Sequence, residues 1–205
     1  MKYVSIDIET TGLDPKHNDI LEFAAVYDDL REDVEVDKLP TYHAYVYRED
    51  DLYRGSAYAL ALNHKILSIL AGRGKSGYGI HNYQNSEGLL FSFFNWLDKV
   101  NYPDPANSHM VGEDLYLCIT PAGKNFASFD KRFLEEQCVM PKQLRFSHRV
   151  FDPGVLYFRL GEDDMLPDSK VCMKRAGLSG EVAHTALEDA KMVVRLIRHR
   201  FKEGR

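Results

Sequence analysis

The sequence predicts an α/β fold: a mixed-direction sheet flanked by helices. Three observations predict it. Three strand-like runs follow one another within the first fifty residues. Helical periodicities then alternate with two further strand-like runs. No repeat, low-complexity tract or domain-splitting linker interrupts the 205 residues, which suffice for one sizeable core. The expected organisation is a single domain over 1–205 with an extended helical insertion around 50–110.

Lys2 to Ile8 reads as the first strand, from the β-branched and aromatic residues Tyr3, Val4, Ile6 and Ile8. Thr10–Pro15 is a turn punctuated by Gly12 and Pro15. Ile20 to Tyr27 and Tyr42 to Tyr47 read as an antiparallel pair, joined by a loop, Asp28 to Asp37, whose six acids suggest a solvated hairpin tip. Tyr58 to Leu70 has helical spacing at Leu62, Ile66, Ile69 and Leu70. Ala71 to Gly79 is glycine-rich and contains G-K-S. A phosphate-cradling loop would need a further glycine before Ala71, where Ile69 and Leu70 stand, so this is a lid or connector.

Ser86 to Val100 is a helix with Leu89, Leu90, Phe93, Phe94 and Leu97 on its apolar face, and Trp96 reads as core. Tyr102–Ser108 is a loop. Asp114 to Thr120 and Phe146 to Asp152 are the fourth and fifth strands, with a helix from Phe126 to Gln137 between them. Helices follow near Pro153–Leu160, over Ser169–Ala176 ending at Gly177, and from about Ala186 to Phe201.

Composition sets limits on function. A hydrophobic content of 44% and an aromatic content of 12% exclude a disordered chain. No apolar run approaches the roughly 18–20 residues that span a bilayer, and no basic-then-apolar leader opens the sequence, so no membrane partner is expected. Cys118, Cys138 and Cys172 are odd in number and without a C-x-x-C, as expected of buried free thiols in a cytoplasmic protein. The net charge of −5 argues against coating long nucleic acid by bulk electrostatics, but the acids are clustered. An enzyme that meets a polyanion through metals remains open.

Within the first strand, Asp7 and Glu9 share a face because strand side chains alternate. Carboxylates roughly 7 Å apart on a core strand repel unless a cation lies between them, and Mg²⁺ or Mn²⁺ takes such oxygen ligands. The alternative is an edge strand with a solvated acidic face. In A-H-T-A-L-E-D-A, Thr185 and Glu188 form the capping-box pattern T-x-x-E ahead of the stripe Ala190, Val193, Val194 and Ile197. His184 and Asp189 then occupy the two positions that face each other in a hydrophobic staple, here filled by an imidazole and a carboxylate. In N-F-A-S-F-D-K-R-F-L, Asp130 falls in a helix's first turn, where an acid favours the helix dipole on structural grounds alone.

Taken together, D-I-E-T-T-G-L-D, N-x-x-x-F-D-x-x-F-L and H-T-A-L-E-D, in this order over Lys2 to about Arg200, resemble the DEDDh branch of the DnaQ-like 3′→5′ exonucleases. Asn125, five residues before Asp130, and the stretch His148–Asp152 are similar to oligoribonucleases, whereas the segment from about Asp50 to Ser108 is longer than in those enzymes. The resemblance implies an RNase H-like fold on a five-stranded mixed sheet. It implies two divalent cations, Mg²⁺ or Mn²⁺, held by Asp7, Glu9 and Asp189, with Asp7 bridging and Asp130 in support. His184 would be the general base, suited by an imidazole pKa near 6.5. Thr10, Thr11, Gly12 and Leu13 would contact the 3′-terminal nucleotide, with Asn125 beside the site and Phe126 or Phe129 stacking a base. Lys170, Lys174 and Arg175 would meet phosphates or form a solvated face.

The implied substrate is the 3′ end of single-stranded DNA or RNA, released as nucleoside 5′-monophosphates. An oligoribonuclease restricted to short RNA, a proofreading subunit bound to a polymerase, a homodimer, and a non-catalytic nucleic-acid-binding module are the alternatives. The basic stretch Arg195, Arg198, Arg200, Lys202 and Arg205 would dock a partner or guide substrate.

Overall fold

The structure is a computed structural model that describes residues 1–102, 108–111, 114–178 and 184–203. Strand β1 (Lys2–Thr10) pairs antiparallel with β2 (Ile20–Asp29), which pairs antiparallel with β3 (Thr41–Val46). Helices α1 (Ala57–Leu62) and α2 (His64–Ala71) follow, then a short strand β4 (Tyr83–Gln84) parallel to β3, and α3 (Ser86–Lys99). The chain continues through β5 (Ser108–Val111), β6 (Asp114–Ile119), β7 (Pro121–Ala122), α4 (Asp130–Gln137) and β8 (Leu144–Phe146). It closes with α5 (Pro153–Leu156), α6 (Ser169–Arg175) and α7 (Ala186–Arg198), the last passing into a π-helical turn, His199–Glu203.

The strands form a five-stranded sheet in the order β4-β3-β2-β1-β7 and a three-stranded sheet in the order β5-β6-β8. The two are joined along one chain run, since β6 leads through Thr120 straight into β7, and the Thr120 carbonyl accepts Val4 N–H at 3.0 Å. This is the α/β architecture expected, with a division of the strands that the sequence did not announce. The predicted fifth strand lies earlier than expected: β8 ends at Phe146, and among the later described residues only Phe151 makes a bridge, to Ala122. Pairing requires backbone beside β6, and Leu144–Phe146 is the part that reaches it, opposite Leu117–Ile119.

Alternation divides β1 between two cores. Val4, Ile6 and Ile8 join Phe23, Phe93, Leu97, Phe126 and Phe133 on one side. Tyr3 meets Val193, Val194 and Ile197 of α7 on the other, where Ser5 Oγ donates to the Ala190 carbonyl at 2.9 Å. Each fully buried large apolar side chain contributes roughly 1.5–3 kcal/mol, so the sheet is gripped from both faces. Asp7 and Glu9 continue the α7 face of the strand.

Three expectations are corrected by these contacts. The predicted helix Phe126 to Gln137 starts only at Asp130, because Phe126 to Phe129 form a turn in which the Asn125 carbonyl accepts the N–H groups of Ser128 and Phe129. The single helix expected over Tyr58 to Leu70 is two, broken at Asn63, whose side chain is drawn inward to donate to the Thr10 carbonyl at 3.0 Å. The acidic loop is no solvated tip at its start. Asp28 is 0% exposed and binds Tyr3 Oη and Arg198, while Asp29 binds the N-terminal ammonium and Arg31. Of the three free cysteines only Cys172 is buried, Cys118 and Cys138 being half-buried.

Candidate active site

A carboxylate oxygen from each of Asp7, Glu9 and Asp189 lies within 4.8 Å of the other two. The first two come from the end of β1, the third from the first turn of α7, 180 residues later. Immediately after Glu9 the β1–β2 register slips, so that Glu9 faces Glu22 but Thr10 faces Ile20. This bulge gives β2 an extra residue and turns the chain away from the ladder.

Asp130 closes the cluster from behind. It is 3% exposed, and Oδ1 accepts the Ile8 N–H at 3.0 Å, so the first residue of α4 is tied to the strand between the two acids. That hydrogen bond answers the question raised by the sequence: Asp130 reaches across the fold and does more than favour its own helix dipole.

The electrostatics of the cluster are those of like charges confined together. Burial, then Asp130, Asp189, Glu9 and Glu22, hold the Asp7 carboxyl well above the usual carboxylate range. Burial, with Asp189 and Glu22, pushes Glu9 up to about 8, against a hydrogen bond from Asn63. Burial pushes Asp189 up to about 6, and nearby His184 opposes that rise. Asp130 is pushed up to about 7 by burial, opposed by its own backbone N–H and that of Ile8. Half-buried carboxylates that raise one another in this way form an oxygen-only donor set suited to a hard divalent cation.

His184 is exposed, adopts a left-handed backbone (φ 47°), and stands one residue before the Thr185 N-cap. It lies near enough to Asp189 for its charge to oppose the rise in that carboxyl. The capping box does not form, however. Thr185 makes no side-chain cap bond, and Glu188 turns to Lys191 at 2.9 Å. The α7 cap is supplied instead by Glu22 of β2, whose Oε2 accepts the Ala186 N–H at 2.9 Å. Glu22 was missed by the sequence reading; the available signal was one acid in the apolar strand I-L-E-F-A-A-V-Y.

The turn after β1 is rigidly tied. Thr10 Oγ1 donates to the Gly12 carbonyl at 2.7 Å, and Thr11 Oγ1 donates to the Arg54 carbonyl while accepting from Asp19 N–H. Leu13 projects from this turn 82% exposed. Behind it a cavity of about 350 Å³ is lined by Lys16, Asp19, Arg48 and Arg54 and by none of the clustered carboxylates, so it is apart from the acidic site. Asn125 is exposed in a left-handed conformation (φ 60°), its N–H donating to Asp152 at 3.0 Å.

Phe126 is 1% exposed and packs edge-on against Phe146, so its ring is committed to the core and cannot stack a base. Phe129 is the half-buried one of the two, its ring 5.0 Å from that of Phe133 at the edge of the core. The start of α4 at Asp130 rotates these positions relative to a helix begun at Phe126. Arg175 is bound on two sides by Asp163 and donates to the Tyr157 carbonyl, which makes it structural, whereas Lys170 and Lys174 are exposed. Arg195 and Arg198 are likewise engaged, by Asp37 and Asp28. The Lys202 side chain and Arg205 lie outside the described residues.

Comparisons with known proteins bear on the fold. A family model described as Exonuclease, of RNase T type, matches residues 4–65. No curated protein matches the chain by sequence. Among solved structures, the nuclease domain of 3′hExo, a DEDDh family member bound to rAMP, superposes with a TM-score of 0.62 at 15% identity, covering 99% of this chain and 92% of that one. E. coli Exonuclease I in complex with a dA13 oligonucleotide gives a TM-score of 0.56 at 15% identity, over 97% of this chain and 40% of that one. Exonuclease I from Methylocaldum szegediense gives 0.57 at 13% identity, with 98% and 41% covered. The chain thus spans about two fifths of the length of the Exonuclease I chains.

Proposed function

We propose, from the premise that the chain is an exonuclease of the DEDDh type, that it removes nucleotides one at a time from the 3′ end of single-stranded nucleic acid. The observation that carries this reading is the convergence of Asp7, Glu9 and Asp189 within 4.8 Å, with Asp130 anchored on the Ile8 N–H behind them. Asp7, Glu9 and Asp189 would hold divalent cations, with Asp130 in support. When bound, such ions neutralise the carboxylates and stabilise the attacking and leaving oxygens of an in-line displacement.

The chain's own residues supply the rest. His184, exposed at the rim and close to Asp189, takes a proton from the water that attacks the terminal phosphodiester. The P–O3′ bond of the penultimate nucleotide breaks, giving a nucleoside 5′-monophosphate and a strand one residue shorter with a free 3′-hydroxyl. The tied turn at Thr10–Gly12 presents backbone to the terminal sugar, and the exposed Leu13 wedges beside the last base. Of the two rings only half-buried Phe129, packed on Phe133, keeps an edge for a base, with exposed Asn125 beside it.

Structural neighbours of this fold hold both a ribonucleotide and a deoxyribo-oligonucleotide, so both sugars enter the test. The experiment is a time course on 5′-labelled single strands, DNA and RNA of matched sequence and two lengths each, with Mn²⁺, Mg²⁺ or chelator. The expected result is a ladder shortening from the 3′ end and abolished by chelator. Binding without digestion of any strand would instead assign the chain as a nucleic-acid-binding module.

A further inference from the structure

Glu22 is 1% exposed in the middle of an apolar sheet, and both of its carboxyl oxygens are engaged. Oε2 accepts the Ala186 N–H at 2.9 Å, and Oε1 lies 2.5 Å from His43 Nε2 on β3. It stands directly opposite Glu9 in the β1–β2 register. Ala186 is the first residue of α7, and the Thr185 N-cap makes no side-chain cap bond. The first N–H groups of a helix have no acceptor within the helix. Here one of them is met by an acid 164 residues away in sequence, in the place where the helix dipole favours a carboxylate.

We propose that Glu22, braced by His43, is a positioning residue for hydrolysis. It fixes the start of α7 against β2, so that Asp189, three residues beyond Ala186, meets Asp7 and Glu9, with His184 two residues before Ala186 at the rim. The proposal rests on reading the carboxylate cluster as a divalent-cation site. Glu22 is not among the carboxylates whose oxygens converge within 4.8 Å, and each of its own oxygens is engaged, by the helix and by His43. Its influence passes through the position of α7. Partners that orient a ligand without touching the metal change affinity or activity by about 10–100-fold when removed.

The test follows Mn²⁺ binding to the metal-free protein by calorimetry, together with kcat and KM on a short single strand and amide hydrogen exchange at Ala186. Glu22→Ala is expected to weaken Mn²⁺ binding by at least about tenfold, to lower kcat far more than it alters KM, and to speed exchange at Ala186. Glu22→Gln keeps an acceptor for Ala186 N–H and should restore most of all three. His43→Ala, which frees the carboxyl to swing, should fall between them. Wild-type metal affinity and kcat in folded Glu22→Ala would overturn the proposal. If that variant does not fold, wild-type values in His43→Ala, or no recovery in Glu22→Gln, would overturn it equally. A wild-type protein that binds no Mn²⁺ would overturn the cation-site reading itself, an outcome visible before any variant is compared.

Discussion

At the scale of the residue, Asp7 carries a conflict between stability and chemistry. Its carboxyl is confined with Asp130, Asp189 and Glu9, and burial and repulsion hold it well above the ordinary range. Asp7→Asn removes one of the repelling charges and keeps the shape. We expect the metal-free variant to melt higher than the wild type, to lose the stabilisation that Mn²⁺ gives the wild type, and to have no measurable exonuclease activity. Thermal melts with and without Mn²⁺, beside the strand-shortening assay, check all three. His184→Ala should slow hydrolysis by about 10²–10⁴-fold while substrate binding persists, because the imidazole is exposed and its loss leaves no buried group unpaired. An unchanged rate would remove His184 from the chemistry. Much of this was legible in the sequence. Strand alternation alone puts Asp7 and Glu9 on one face, and the pattern T-x-x-E ahead of the apolar stripe puts Asp189 at the fourth position of α7. Glu22 was not legible, since a lone acid in an apolar run does not say which helix will come to rest on it. That Phe126 is the more deeply buried of the two rings was hidden for a related reason: it depends on where α4 begins, and the turn from Asn125 sets that.

At the scale of the element, α7 is held at both ends by acids of a single strand. Glu22 meets Ala186 N–H at the start, and Asp28 meets Arg198 at the end. The twelve steps from Ala186 to Arg198 rise about 18 Å, and the six from Glu22 to Asp28 span about 20 Å, so helix and strand agree in length. Arg198→Ala leaves Asp28, 0% exposed, without its guanidinium. Breaking a buried pair in this way costs about 3–5 kcal/mol, a loss that chemical denaturation would measure. The turn after β1 is held by a different device. A Cβ at Gly55 would stand 2.1 Å from the Thr11 carbonyl oxygen and 2.5 Å from Thr11 Cβ. Backbone cannot swing aside as a side chain does, so Gly55→Ala should displace the turn that carries Leu13, destabilise by about 1–3 kcal/mol, and raise KM for single strands more than it lowers kcat. The sequence signalled the turn through Gly12 and Pro15 but not the strap that crosses it, because close backbone approach at Gly55 is a tertiary event.

At the scale of the whole molecule, the clustered carboxylates tie stability to pH and to metal. Glu9 at about 8 and Asp189 at about 6 stand above ordinary carboxyl values near 4, so between roughly pH 4 and 8 the folded, metal-free protein binds more protons than the unfolded chain. Its stability from these groups is therefore greatest at the acid end and falls as pH rises through that window. A divalent cation that takes the place of those protons should stabilise more at pH 8 than at pH 5. Melting temperatures across this range, with Mn²⁺ and with chelator, test the sign directly. The strand and helix order that makes the fold α/β was readable from periodicity. The division into two sheets joined through Thr120 was not, since β7 and β8 are too short to leave a pattern. The site is divided in sequence between residues 7–9 and 184–189, a separation with a consequence in time. At about 5–20 residues per second, a ribosome that has made Glu9 needs roughly 10–40 s more to reach Asp189. Until α7 emerges and docks on β2, the growing chain lacks a full set of carboxylates, so the cluster is completed only after Asp189 has been made.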